Sequence, residues 1–121
     1  MKRILVTLGL LLLVLLLQAG SARAGTLAAG PMQGDFFLCN VVNLGPVAQS
    51  IRVDILNSSN GDVLASETCD AVEPNTECVA FLSDPDVLRA FCRVTSSAAA
   101  TLLRGNLVVG LGLSEFSFDL R

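Results

Sequence analysis

The chain has 121 residues, with 8 basic and 11 acidic side chains, and it lacks histidine, tyrosine and tryptophan. Without histidine there is no usual base for a cysteine or serine nucleophile, which disfavours nucleophilic catalysis. Three of the basic residues fall within the first 24 positions and every acidic residue follows them, so residues 25–121 carry a net charge of −6 and no lysine. Such a surface disfavours binding to nucleic acid or to anionic lipid, because both depend on clustered cations.

The first 24 residues have the organisation of a secretory signal peptide. A basic start precedes an apolar run over residues 4–17, and an A-x-A motif ends at Ala24. The alternative is an uncleaved membrane anchor, but the apolar run is shorter than the roughly 20 residues that span a bilayer. We therefore predict a helical signal peptide, cleavage between Ala24 and Gly25, and export to the periplasm or secretion.

After the cleavage site the sequence is typical of short strands separated by turns. The small residues over 25–35 predict a flexible N-terminal segment. In residues 50–57, Ile51, Val53 and Ile55 alternate with polar side chains, which is the period of a half-buried strand. Residues 83–86 carry the signal for a single helical turn. Seven strands are predicted, at residues 36–43, 50–57, 63–68, 76–82, 90–96, 101–111 and 114–120.

The predicted strands define a fold class. Their spacing, with turn residues between them and no sustained helical period, predicts an all-β protein. We expect a single antiparallel immunoglobulin-like β-sandwich of about seven strands over residues 36–121. The dipeptide Asn60-Gly61 predicts a hairpin between the second and third strands.

Four cysteines in a short exported chain predict two disulfides. The polar neighbours of Cys39 and Cys92 are expected to face water, which turns both cysteines toward the interior. Cys69 and Cys78 lie at the two ends of one turn. Three pairings are possible, and strand parity favours Cys39–Cys92 with Cys69–Cys78. A zinc site is disfavoured, because the spacing has no C-x-x-C pair and histidine is absent.

Four segments of the chain resemble a family: CNVVNLGPVAQSIRVDILNSSNGDVLAS, VEPNTECVAF, AFCRVT and LLRGNLVV. They are similar to small exported bacterial immunoglobulin-like β-sandwich domains of unknown function, which share a Cys-x-x-x-Asn element in the first strand. The chain differs from them at Asn75, where glycine is usual after Pro74, and in having Cys69 and Cys78. The resemblance covers residues 36–109 and implies a fold and an exported compartment, but no activity.

Carboxylates are the remaining candidates for chemistry. Asp70, Glu73 and Glu77 lie in or beside the predicted stapled turn, and Asp84 and Asp86 follow it. If they converge, the protein would be a small metal-binding or sugar-binding protein or a hydrolase. If they do not, they are solvated turn residues that favour solubility.

The favoured interpretation is an exported, non-enzymatic β-sandwich that acts as an envelope or surface structural or interaction module. We expect a protein or surface partner, and no catalytic residue, cofactor, metal, nucleic acid or membrane contact after cleavage. The apolar run over residues 101–113 has two interpretations: a strand buried on both faces, or a surface that binds a partner. The identity of the partner and the oligomeric state stay open.

Overall fold

The computed structural model describes residues 25–97 and 99–121. The predicted signal peptide over residues 1–24 lies outside this range, so its helix and the processing at Ala24 are predictions only. Within the part of the chain that is described, no helix has the length and apolar character needed to cross a membrane.

The described residues form six β-strands and one short 3-10 turn, which confirms the predicted all-β class. All strands pair antiparallel in a sheet of order β3-β2-β4-β1-β5-β6. The strands are β1 (Gly25–Asn43), β2 (Gln49–Asn57), β3 (Val63–Val72), β4 (Glu77–Ser96), β5 (Leu103–Leu111) and β6 (Ser114–Asp119), and the 3-10 turn is Ala100–Leu102.

Each of the seven predicted strands falls on an observed strand, with shifted ends. The predicted strands at residues 76–82 and 90–96 are the two halves of β4, which is continuous. The helical turn predicted at residues 83–86 is therefore wrong. This segment continues β4 because β1 pairs on both sides of it, at Ser83 and at Leu88, and such long-range pairing overrides a local capping signal.

Residues 25–35 also differ from the prediction, because they are not a loose segment. They form the N-terminal part of β1 and pair with the C-terminal half of β4. The other side of this strand meets the chain terminus, where Ala28 and Arg121 exchange two backbone hydrogen bonds of 3.0 and 3.1 Å. Gly30 has a φ of 111°, and a Cβ there would lie 2.8 Å from the Cβ of Phe91, so this close approach requires glycine.

The sheet has two halves, named here by their outer strands as the β2–β3 half and the β5–β6 half. The long strands β1 and β4 run through both. In the β2–β3 half, residues 25–34 of β1 pair with residues 88–96 of β4, which pairs in turn with β2. In the β5–β6 half, residues 36–43 of β1 lie between β5 and residues 77–83 of β4. The register shift between Gly34 and Phe36 marks the change from one half to the other.

One hydrophobic core contains buried side chains from both halves. Cys39 in the β5–β6 half is bonded to Cys92 in the β2–β3 half, with 5.9 Å between their Cα atoms. The second disulfide, Cys69–Cys78, joins β3 to the start of β4. These are the pairs that strand parity favoured. The larger buried side chains of the core are Phe37, Val41, Ile51, Val53, Ile55, Val94, Leu103, Leu107 and Val109.

A buried asparagine organises the loop that follows β1. The Asn43 Nδ2 group donates hydrogen bonds to the carbonyl oxygens of Val47, at 2.8 Å, and Val72, at 2.9 Å. The Asn43 Oδ1 atom accepts a bond of 2.9 Å from the Gly45 N–H. This residue, the last of the Cys-x-x-x-Asn element, therefore ties the β1–β2 loop to the end of β3.

Candidate interaction surface

The acidic residues singled out in the sequence do not form one group, because Asp84 and Asp86 lie far from those at the stapled turn. Asp70 lies in β3, Glu73 lies in the following turn, and Glu77 begins β4. Asp84 and Asp86 lie farther along the same extended strand, which at about 3.3 Å per residue places Asp84 roughly 20 Å beyond Glu77. Within the described ranges, no three His, Cys, Asp or Glu side chains are grouped so that they would hold a metal ion. These five carboxylates therefore do not share one site in the described part of the chain.

The outer face of the β2–β3 half carries a charged network, beside an apolar row of Leu56 and Phe91. Asp54 lies on β2 with its side chain only 2% exposed. Its carboxylate accepts hydrogen bonds from Arg52 Nε at 2.8 Å and Ser66 Oγ at 2.7 Å. Arg93, in register with Asp54 on β4, donates a third bond of 3.0 Å from Nη2. Asp54 is thus enclosed by groups from three adjacent strands.

The network lowers the pKa of Asp54 below its usual value. Burial alone raises the pKa, but the hydrogen bonds from Ser66, Arg52 and Arg93 outweigh it. The Arg93 Nε atom is buried and has no hydrogen-bond partner among the described residues. Because three donors from adjacent strands hold the carboxylate, we assign the network a structural role.

The outer face of the β5–β6 half carries a group of apolar side chains on β1, β4 and β5, with Asn40 and Asn106 in one polar row among them. Leu38 on β1 is in register with Phe81 on β4 and with Val108 on β5, so the three side chains form a row across the sheet. The Phe36 and Phe81 rings meet edge to face with 5.2 Å between centroids. We call this surface the outer patch, and it consists of Phe36, Leu38, Val42, Val79, Phe81 and Val108.

The described part of the chain leaves the outer patch open. Phe81 is 55% exposed, and the other five side chains are only half-buried. Along β1 these outward residues alternate with Phe37, Cys39 and Val41, which are fully buried in the core. Strands that are apolar on both faces are typical of sheets covered on both sides. This half of the sheet is covered on one side only.

Opposite charges flank one end of the outer patch. Val42 is in register with Glu77 on β4 and with Arg104 on β5, so an acid and a base lie on opposite sides of β1. A shallow groove of about 510 Å³ begins here. It is lined by Asn40, Val42, Arg104, Gly105, Asn106, Asp119, Leu120 and Arg121.

The apolar surface extends toward the tip of the β5–β6 hairpin. Gly112 turns the chain there with a φ of 60°, as two-residue hairpin turns require. Leu113 at the apex is fully exposed, and Leu111 and Phe116 beside it are exposed on the opposite face of the hairpin, which they share with Val109. A cleft lined by Phe36 and Leu113 joins the tip to the outer patch. The apolar run over residues 101–113 therefore supplies both a core strand and an exposed tip.

Sequence reasoning missed the outer patch, although one signal for it was present. The segment FFLCNVV at residues 36–42 is apolar at nearly every position, so the strand offers apolar side chains to both faces. Residues 79 and 81 repeat this outward pattern on β4. The parity of Cys39, which correctly predicts an inward face, also predicts that Phe36 and Leu38 point outward.

The fold and the surface together define a small, disulfide-bonded, all-β domain with one polar and one apolar outer face. No protein-family model, curated protein or solved structure matches the chain. The functional argument therefore depends on the geometry and chemistry of the two faces.

Proposed function

We propose that the protein is an exported, non-enzymatic interaction module, built as an immunoglobulin-like β-sandwich, that binds a protein partner through the outer patch. The observation that carries this proposal is the contrast between the two outer faces. One face bears a network of charged groups around Asp54, whereas the other bears six apolar side chains with no covering layer among the described residues. Exposed apolar surface of this extent, here interrupted by the row of Asn40 and Asn106, is typical of interaction sites.

The β-sandwich is supported by the two halves of the sheet. Both halves share β1 and β4, and their inner faces are joined by the disulfide between Cys39 and Cys92. In a sandwich the inward side chains of two sheets form one core, and the outward side chains remain on two outer faces. A disulfide between sheets is also a feature of many immunoglobulin-like domains.

Export is supported by the disulfides and by the start of the chain. All four cysteines are paired, and stable disulfides are typical of proteins in oxidising compartments outside the cytoplasm. The pattern of residues 1–24 indicates a signal peptide that directs export and is removed after Ala24.

Site-specific photo-crosslinking in the exporting cell tests the proposed function. A photoreactive amino acid is placed at Phe81 in the outer patch. The control position is Thr68, which is exposed on the outer face of the other half, in register with Arg52. We expect a discrete crosslinked protein from position 81 and none from position 68. Equal crosslinking at both positions, or none at position 81, would contradict the proposal.

A further inference from the structure

We propose that the partner at the outer patch is a second copy of this chain, related by a two-fold axis that runs along β1. This inference rests on the proposed function, because it names the occupant of the same surface. It commits to a symmetric dimer in which the β5–β6 halves of two copies stack face to face.

Charge complementarity is the first argument for a second copy. A two-fold axis along β1 exchanges the β4 side of the patch with the β5 side, since the same surface meets itself in such an interface. Glu77 and Arg104 lie on these two sides, in one row across Val42. Glu77 of each copy therefore faces Arg104 of the other, which gives two symmetric ion pairs at one end of the interface.

The shapes of the side chains agree with the same operation. Two rows farther along β1, the exchange sets the large Phe81 of one copy against the smaller Val108 of the other. In the row between, Val79 of one copy meets Asn106 of the other, and Asn40 lies on the axis. Leu38 and Val42 lie on the axis and meet their own counterparts. In the row of Phe36, the flanking residues are Ser83 and Gly110, which leave room for the aromatic rings. Stacked sheets lie about 10 Å apart, which these side chains span.

The size of the patch sets the expected strength of the dimer. Three strands, β4, β1 and β5, spaced about 4.8 Å apart over about eight residues of 3.3 Å, cover roughly 400 Å² per copy. The total of roughly 800 Å² is below the size of stable specific interfaces and is typical of weak, transient complexes. We therefore expect a dimer that forms at high micromolar concentration and dissociates on dilution.

Sedimentation equilibrium of the protein without its signal peptide, from low micromolar to near millimolar concentration, tests the dimer. Glu77→Arg and Arg104→Glu should each weaken dimerisation about tenfold, because like charges then face each other. The double variant should recover the wild-type dissociation constant to within about threefold, since the pairs are restored with reversed sign. Glu67→Arg is the matched control, because it makes the same charge change on exposed β3, away from the patch. It should leave dimerisation unchanged.

Phe81→Lys provides a second variant, and it should abolish the dimer while circular dichroism shows the fold retained. A wild-type protein that stays monomeric throughout, or a double variant that is no better than the single ones, overturns the inference. If the protein is monomeric but position 81 crosslinks to a different protein, the second copy is wrong and the proposed function stands. If it is monomeric and position 81 crosslinks to nothing, both are wrong.

Discussion

Replacing Cys39 and Cys92 together by alanine should remove most of the stability of the domain. The disulfide closes a loop with a sequence separation of 53 residues. Releasing that loop in the unfolded chain is worth about 4 kcal/mol. Both side chains are fully buried between the halves of the sheet, so the missing sulfur atoms leave a small cavity that costs about 1 kcal/mol more. The loss of about 5 kcal/mol compares with a total of about 5–10 kcal/mol for a domain of this size.

The matched control is the double replacement of Cys69 and Cys78 by alanine. Their sequence separation is 9 residues, for which the same relation gives about 2.5 kcal/mol. Urea unfolding followed by far-ultraviolet circular dichroism measures both variants, because the chain lacks tryptophan. The reasoning fails if the short-loop variant loses as much free energy of unfolding as the long-loop variant, or more.

Three further predictions concern the buried polar residues. Asp54→Asn should lower the free energy of unfolding by about 1–3 kcal/mol, because Arg52 and Arg93 lose a charged acceptor but stay partly solvated. Urea unfolding measures this loss, and Asp70→Asn at an exposed position is the near-neutral control. Because the folded pKa of Asp54 is lowered, its contribution to the free energy of unfolding is present above the unfolded pKa of about 3.9 and is lost as pH falls toward the folded pKa. Asp54→Asn should therefore flatten the acid limb of the plot of stability against pH. Equal slopes in the two proteins would contradict this. Asn43→Ala should lower the free energy of unfolding by about 2–4 kcal/mol, because the buried Val72 carbonyl and Gly45 N–H lose their hydrogen-bond partner. Calorimetry measures the loss, and a change within about 0.5 kcal/mol would refute the prediction.

Strands with local alternation were predictable, and strands defined by distant partners were not. The alternation of Ile51, Val53 and Ile55 places β2 and its buried face correctly, because one face packs on the core and the other meets water. Residues 25–35 have no such alternation. Their strand is set by pairing with β4 and with Arg121, which lies at the far end of the sequence.

The outer patch, too, could be predicted from the sequence only in part. The sequence contains the apolar residues of the outer patch, but their grouping depends on the register that places Leu38 between Phe81 and Val108. The sequence alone also left open whether the acidic residues converge. Glu77 and Asp84 are separated because β4 runs extended between them, and short separation in sequence is not proximity in an extended strand.

A single tryptophan in the outer patch tests most directly whether this surface is an interface. The chain has no tryptophan or tyrosine, so Phe81→Trp introduces one fluorophore at the centre of the patch. Thr68→Trp places the matched probe on the polar face. As protein concentration rises, the account predicts that emission from Phe81→Trp shifts to shorter wavelength and resists acrylamide quenching, while Thr68→Trp stays unchanged. Emission and quenching from Phe81→Trp that do not change with concentration, or that change equally in both variants, would contradict it.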